Sequence, residues 1–441
     1  MSLAKGRRTF LRLAALVAAG CIPGGRLAAT PRGPVEAPVR TPSKAQVLII
    51  GGGFAGSTCA LELRRLVPAM NVTLVDPDDR YVTGPMSNSV LVGLRSLASI
   101  TVSRRGLERA GVRYVRDRVR SIDTQGRRAT LGSGAVLSFD RLVMSPGIRF
   151  LWGRPLGYDE AAAQVMPHAW IAGAQTELLA AQLRAMRNGG VVAISVPAGP
   201  MRCPPAPFER ASLIADYLKR HKPRSKVLIF DANNRFPRQA AFTDTWQALY
   251  PGMIEWIPVV EDGAVVRVAP PKMRVYTSQH AHHADVINII PPQAPALLAV
   301  QAGLASDHGW CPVDPETFES RLAARVHVIG DACIADPMPK SGSAAHAEGA
   351  HCARAIVAAL RGNAPPSDST PRFESVCYSL LAPARALSIH GRFQLTDGTI
   401  REMPVLDEAG PVAPAPPLPS AQEAQNADAW YRRILADSFG E

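Results

Sequence analysis

The stretch "AQVLIIGGGFAGSTCALELRRL", residues 45–66, decides the fold. An apolar strand-forming run leads into a glycine turn and then into an amphipathic helical pattern. "NVTLVDPDD" (71–79) supplies a second strand, so the segment predicts a βαβ unit. Gly51, Gly53 and Gly56 form a GxGxxG between strand and helix, and Asp76 closes the next strand twenty residues after Gly56. Gly51 permits the tight turn, Gly53 lets backbone approach a pyrophosphate, and Gly56 lets helix and strand pack closely. The helix N-terminus favours phosphate charge, and Asp76 can accept a hydrogen bond from a ribose hydroxyl. Glycines alone could serve a purely structural turn. With strand, helix and acid in register, they read as a dinucleotide site.

Far downstream, "RVHVIGDAC" (325–333) is an apolar strand ending in Gly330-Asp331. It resembles the second FAD fingerprint of flavoproteins with two dinucleotide domains, which implies that Asp331 binds the ribityl chain. The following "PMPKSGSAAHAEGAHCARAIVAAL" (337–360) is expected to begin a helix whose N-terminus, with Lys340 and Ser341 beside it, faces the flavin. Positive charge there would stabilise an anionic reduced flavin. FAD is the expected cofactor.

A second α/β block runs through "GGVVAISVPAGP" (189–200), the helix-like "FERASLIADYLKRH" (208–221) and "SKVLIFDA" (225–232). Its turn, "PAGPMRCPP", has Gly199 as its only glycine. Prolines remove the amide donors that would cradle a pyrophosphate. This block is expected to keep the shape of a pyridine-nucleotide domain without its ligand, so electrons must come from another reductant.

The expected fold class is α/β: two Rossmann-like dinucleotide-binding domains, the FAD domain discontinuous, plus a small C-terminal α+β domain. The boundaries follow the patterning. Residues 45–155 form the first part of the FAD domain, 156–280 the degenerate pyridine-nucleotide-type domain, 281–362 the second part of the FAD domain, and 363–441 the C-terminal domain. "GAVLSFDRLVMSPG" (134–147) alternates like a hairpin closing the first unit, and "ADVINIIPP" (284–292) reads as a return to the first domain. The Pro-rich stretch Pro404 to Pro419 reads as a surface connection to a terminal helix in "AQEAQNADAWYRRILADSFG".

Ahead of these domains, residues 1–29 carry adjacent Arg7 and Arg8 and then the uncharged run Leu13 to Ile22. This resembles a twin-arginine export signal and predicts a periplasmic protein, with 30–44 as a linker. Cys21 also loosely resembles a lipoprotein site. Five of the positive charges lie in those first 29 residues, so +7 of the formal +12 remains beyond them. Such a surface would favour an acidic protein partner. No basic run with interleaved aromatics indicates nucleic-acid binding, and no apolar run is long enough to span a bilayer. The histidines show no metal-ligand spacing, and His282-His283 reads as a solvated loop.

Seven cysteines are scattered along the chain without a CxxC pair, and the absence of CxxCH excludes an attached c-type haem. Read alone, Cys203 is either a buried filler residue or half of a reactive pair. A resemblance bears on this choice. "HAWIAGAQTELLAAQL", "RCPPAPFERAS", "GWCPVDPETFES", "VIGDACIADPMPKSG", "CYSLLAP" and "WYRRILADSFG" closely resemble the flavoprotein subunit of flavocytochrome c sulfide dehydrogenases, from about residue 45 to the C-terminus.

The resemblance implies that Cys203 and Cys377 form a redox disulfide above the flavin. Sulfide, or a small thiol or persulfide, would attack one sulfur, and an electron pair would then pass to the flavin. Glu209 matches an acid near the sulfur site and is either a proton acceptor or a surface salt-bridge partner. Cys311 and Cys333 lie in matching motifs without a redox role, and Cys59 and Cys352 read as core residues. A separate cytochrome c subunit or a soluble cytochrome c would take the electrons. Gly84, in "RYVTGPMSNSV" (80–90), stands where the family's flavin-attaching cysteine falls, so the FAD is expected to be held non-covalently. Two rivals remain open: sulfide:quinone oxidation, and a non-catalytic flavin-binding or docking subunit.

Overall fold

The computed structural model describes residues 42–363, 372–403 and 419–441. The expected export signal, Cys21, nearly all of the linker and most of the Pro404 to Pro419 connection lie outside the described residues.

The glycine turn is built as the sequence predicts. The strand Gln46–Ile50 runs into Gly51–Gly53, and the helix Phe54–Leu66 starts at once. Gly51 has φ +98, and a Cβ there would lie 2.1 Å from the Ser145 carbonyl oxygen. The strand sits at the centre of a five-stranded parallel sheet. Its neighbours are Asn71–Asp76 on one side and Arg141–Met144 on the other, with Arg113–Arg116 and Val326–Val328 at the edges. Central parallel strands are covered on both faces and therefore read as unbroken apolar runs. Val47 to Ile50 are all buried accordingly.

Helix Phe54–Leu66 packs on Gly342–Leu360, the helix that follows the Gly330-Asp331 turn. Gly349 makes this contact close, since a Cβ there would come within 2.3 Å of the Ala55 carbonyl oxygen. Cys59 and Cys352 are fully buried between the two helices, as core residues.

The second sheet is four-stranded and parallel, in the order Ile254–Ile257, Lys226–Asp231, Val191–Val196, Val286–Ile289. The last strand corrects the expected domain boundary at 280. "ADVINII" pairs with Val191–Val196 and belongs to the central domain, not to the returning FAD domain. Two further readings are corrected. Residues 134–147 do not form a hairpin: Val136–Ser138 joins an antiparallel sheet with Val119–Asp123 and Arg128–Leu131, while Arg141–Met144 enters the parallel sheet. His282-His283 lies in a short strand, Ala281–His283, with the His282 ring against Phe230.

The C-terminal domain is a three-stranded antiparallel sheet, Arg372–Ala382, Arg385–Thr396 and Thr399–Met403, packed by the terminal helix Ala421–Phe439. That helix reaches back to the first domain. Ser438 bonds Thr58 at 3.0 Å, Tyr431 bonds Thr83 at 2.8 Å, and Phe439 packs on Phe54 and Tyr81. The C-terminal domain thus closes over the glycine turn. Among the described residues, no helix is long and apolar enough to cross a membrane.

Candidate functional site

A cavity of about 660 Å³ starts at the glycine turn and is walled by all three domains. Every strand end and turn that the sequence singles out contributes to it. Gly51, Gly53, Asp76, Gly330, Asp331, Ser341, Cys203, Glu209 and Cys377 all line it.

At the glycine end, the missing side chain of Gly53 faces open space, with its nearest neighbour, the Tyr81 hydroxyl, 3.7 Å from an ideal Cβ. Gly56 serves packing instead: a Cβ there would lie 2.0 Å from the Gly51 carbonyl oxygen. Asp76 accepts a hydrogen bond from the Gly52 amide at 2.7 Å and pairs with Arg104 at 3.1 Å. Arg104 is only 3% exposed and lies over the Tyr81 and Tyr114 rings. It places a fixed positive charge beside the backbone that would approach a pyrophosphate. Sequence reasoning missed it, because nothing in "SRRGLER" separates it from its solvated neighbours.

At the other end, the helix Gly342–Leu360 points its N-terminus into the cavity through Ser341, Gly342 and Ser343, with the Ser341 hydroxyl capping the Ala344 amide at 3.2 Å. Gly330 donates to buried Glu348 at 2.5 Å, which fixes the turn carrying Asp331. Lys340, expected beside the flavin, turns elsewhere. Its ammonium donates to the Cys333 carbonyl at 2.7 Å and lies 4.0 Å from the centre of the Trp310 ring. Its backbone carbonyl accepts the Cys203 amide at 2.7 Å, and its charge acts on Asp331 in the cavity wall. A Cβ at Gly84 would meet nothing within 4 Å. Open glycine positions, an acid at a strand end and a helix N-terminus together fit a dinucleotide such as FAD.

The corresponding turn of the central domain makes internal contacts. There the Gly199 amide donates to Asn233, the Arg202 amide to Gln293 and the Cys203 amide to the Lys340 carbonyl, so these three amides are spent internally. Asp231, where a ribose-binding acid would stand, is fully buried under the Trp256 indole N–H at 3.0 Å and the Asn233 amide at 2.8 Å. Phe236 stacks on Phe208 at 3.6 Å. The turn instead delivers Cys203 to the cavity, at φ +52, a conformation that non-glycine residues keep only where their surroundings impose it.

Cys377 arrives from the strand Arg372–Ala382. The structure thus brings the two sequence-distant cysteines to one cavity wall, as unbonded thiols. Burial pushes the Cys203 thiol well up, and Cys377 and Glu209 push it further. Burial also raises Cys377, but hydrogen bonds to the Ser341 and Ser375 hydroxyls pull it back. Glu209 is raised to about 7 by burial, against hydrogen bonds from the Leu380 amide at 3.0 Å and the Asn88 amide at 2.8 Å. It is no surface salt-bridge residue. Arg202, missed in the sequence, donates to the Trp170 carbonyl and lines the cavity between Cys203 and Asp331.

Cys311 and Cys333 face each other across a two-residue parallel ladder, buried away from the cavity. Among the described residues no cluster of side chains could hold a metal ion.

Comparison with known proteins agrees with this layout. Residues 45–169 match the pyridine nucleotide-disulphide oxidoreductase family. Residues 176–291 match the central domain of the sulfide dehydrogenase [flavocytochrome c] flavoprotein chain, and 369–439 match the flavocytochrome c sulphide dehydrogenase flavin-binding domain. Mitochondrial sulfide:quinone oxidoreductase of Mus musculus is 22% identical over 73% of this chain and 72% of its own. The flavoprotein chain of Chlorobaculum thiosulfatiphilum sulfide dehydrogenase [flavocytochrome c] is 49% identical over 45 residues, 10% of this chain and 94% of that sequence. The solved sulfide:quinone oxidoreductase of Aquifex aeolicus shares the fold with a TM-score of 0.71 at 18% identity, over 90% of this chain and 92% of that one.

Proposed function

This chain is an FAD-binding flavoprotein of the flavocytochrome c sulfide dehydrogenase and sulfide:quinone oxidoreductase kind, and on that premise we propose that it oxidises sulfide through Cys203 and Cys377. The observation that carries the reading is the meeting of these two cysteines with Glu209 in the cavity that fits FAD. Bound FAD would supply the two-electron acceptor, held by the glycine turn, Asp76, Asp331 and the helix N-terminus at Ser341.

The sulfur chemistry belongs to this chain's own residues. With Cys203 and Cys377 joined as a disulfide, hydrosulfide attacks the Cys203 sulfur, forming a Cys203 persulfide and releasing the Cys377 thiolate. Exchange goes faster when the leaving thiol is the more acidic. Ser341, Ser375 and the helix N-terminus favour the anion at Cys377. Glu209, titrating near neutrality, takes the proton that hydrogen sulfide or the persulfide gives up.

We further propose export to the periplasm through the residue 1–29 signal, and a c-type cytochrome as acceptor. Anaerobic protein reduced by sulfide should pass its electrons to cytochrome c. Transfer to a soluble quinone analogue alone would favour the quinone reading instead.

Two outcomes follow from the cavity. With Gly84 in place of a sulfur-bearing residue, acid precipitation should release the FAD into the supernatant, and yellow colour in the denatured pellet would show a covalent link. NADH and NADPH should leave the flavin absorbance unchanged under anaerobic conditions, because Pro197 and Pro200 take amide donors out of the central turn and the Gly199, Arg202 and Cys203 amides are bonded internally. Rapid bleaching by either would overturn that reading of the central domain.

A further inference from the structure

Arg210 follows Glu209 and is only 2% exposed, yet no described carboxylate pairs with it. Its guanidinium donates to neutral acceptors instead: Asn88 Oδ1 at 3.0 Å, Asn288 Oδ1 at 2.7 Å, and the carbonyls of His168 and Ala169 at 3.1 and 2.6 Å. The Trp170 ring lies 5.3 Å away. Both amides are locked in orientation. The Asn288 Nδ2 donates to the Pro167 and His168 carbonyls, and the Asn88 Nδ2 to Glu209 Oε2 at 2.8 Å and the Ala206 carbonyl at 3.1 Å. A guanidinium stripped of water is costly unless an anion answers it. Here the hydrogen bonds are made, and Glu209 answers the charge through Asn88 and not in a direct pair.

We propose that Arg210 is the standing counter-charge for anions formed in the cavity, and that Asn88 is the positioning residue coupling it to Glu209, setting the pH range in which Glu209 accepts a proton. The inference rests on the function proposed above and assigns the electrostatics of that same site.

Lining the same cavity, the central turn contributes Arg202 and Cys203, the C-terminal strand Cys377 and Tyr378, and the turn after Val326–Val328 Asp331. Of these, Cys203 interacts with both Glu209 and Arg210, and Cys377 with Glu209. His168 is held neutral, at about 3, by burial and by the charges of Arg210 and Arg202. The short helix Ser87–Leu91 offers only Asn88. Arg210 itself is lowered to about 9 by burial, and Glu209 and Cys203 hold it up. Removing its charge should therefore raise the Cys203 thiol, and removing the Asn88 amide should raise Glu209.

The test uses FAD-loaded protein in two assays across pH: alkylation of the reduced thiols by iodoacetamide, followed by mass spectrometry, and anaerobic flavin reduction by sulfide. In Arg210→Met, alkylation at neutral pH should slow by about tenfold, one unit of midpoint shift. Arg210→Lys should stay closer to the parent. Asn88→Leu should move the acid limb of sulfide-driven reduction upward by about one unit while keeping its plateau. Midpoints of Asn88→Leu and Arg210→Met that coincide with the parent would overturn the inference. If Arg210→Met does not fold, Arg210→Lys and Asn88→Leu decide: unmoved profiles in both overturn it, and a shift in Asn88→Leu alone supports it. A failure of the underlying function looks different, because alkylating the parent protein would then leave its reduction by sulfide intact.

Discussion

Cys203→Ser and Cys377→Ser are each expected to retain FAD and to lose sulfide-driven flavin reduction by about a thousandfold or more, as for deletion of a covalent nucleophile. Serine preserves the shape of both sites, so the backbone bond from Cys203 to Lys340 and the strand pairing of Cys377 with Ile389 should survive. The exchange chemistry does not survive, because a hydroxyl neither forms a disulfide nor carries a persulfide. The double variant should be little worse than either single one, since both residues act in one step. Cys352→Ser supplies the contrast. Its thiol is fully buried beside Cys59 between two helices, so the change should lower stability and leave the rate alone. Peptide mapping without reductant should recover Cys203 joined to Cys377 in air-oxidised protein, and two free thiols in active oxidised enzyme would overturn the exchange step.

The second large effect separates two glycines three residues apart. Gly56→Ala should destabilise the fold and abolish FAD binding together, because its Cβ would sit 2.0 Å from the Gly51 carbonyl oxygen and the turn itself must move. Gly53→Ala should keep the melting temperature of the FAD-free protein, since its Cβ would meet only the Tyr81 side chain, at ordinary contact distances of 3.7 Å and beyond. It should nevertheless weaken FAD binding on the order of a hundredfold, because the methyl occupies the path of backbone to pyrophosphate. Thermal unfolding and FAD titration of both variants check this pair. Equal loss of stability in the two would contradict the assignment of Gly53 to the ligand face.

What was legible in the sequence was what is local. Strand, glycine turn, helix and acid lie within about thirty residues, and each element's pattern is enough to place it. Val286–Ile289 was misassigned because a buried apolar run of that length looks the same in either parallel sheet; only its pairing with Val191–Val196, nearly a hundred residues away, decides. The cysteine pair was legible through motif resemblance and not through spacing, since 173 residues lie between its members.

Arg104, Arg202, Arg210 and Asn88 were not legible at all. A buried cation and a solvated one share the same letter, and burial here is set by packing of all three domains. Lys340 shows the converse. Its place before the helix N-terminus is as read, but its long side chain reaches the Cys333 carbonyl and the Trp310 ring instead of the cavity.

The most direct test of the central claim is an anaerobic addition of sulfide to FAD-loaded protein, followed through the flavin absorbance. It is done once on untreated protein and once on protein whose Cys203 and Cys377 have been reduced and alkylated. Prompt bleaching of the first and none of the second is the predicted result. Equal bleaching of both would mean that sulfide reduces the flavin without the cysteine pair, and would contradict the account.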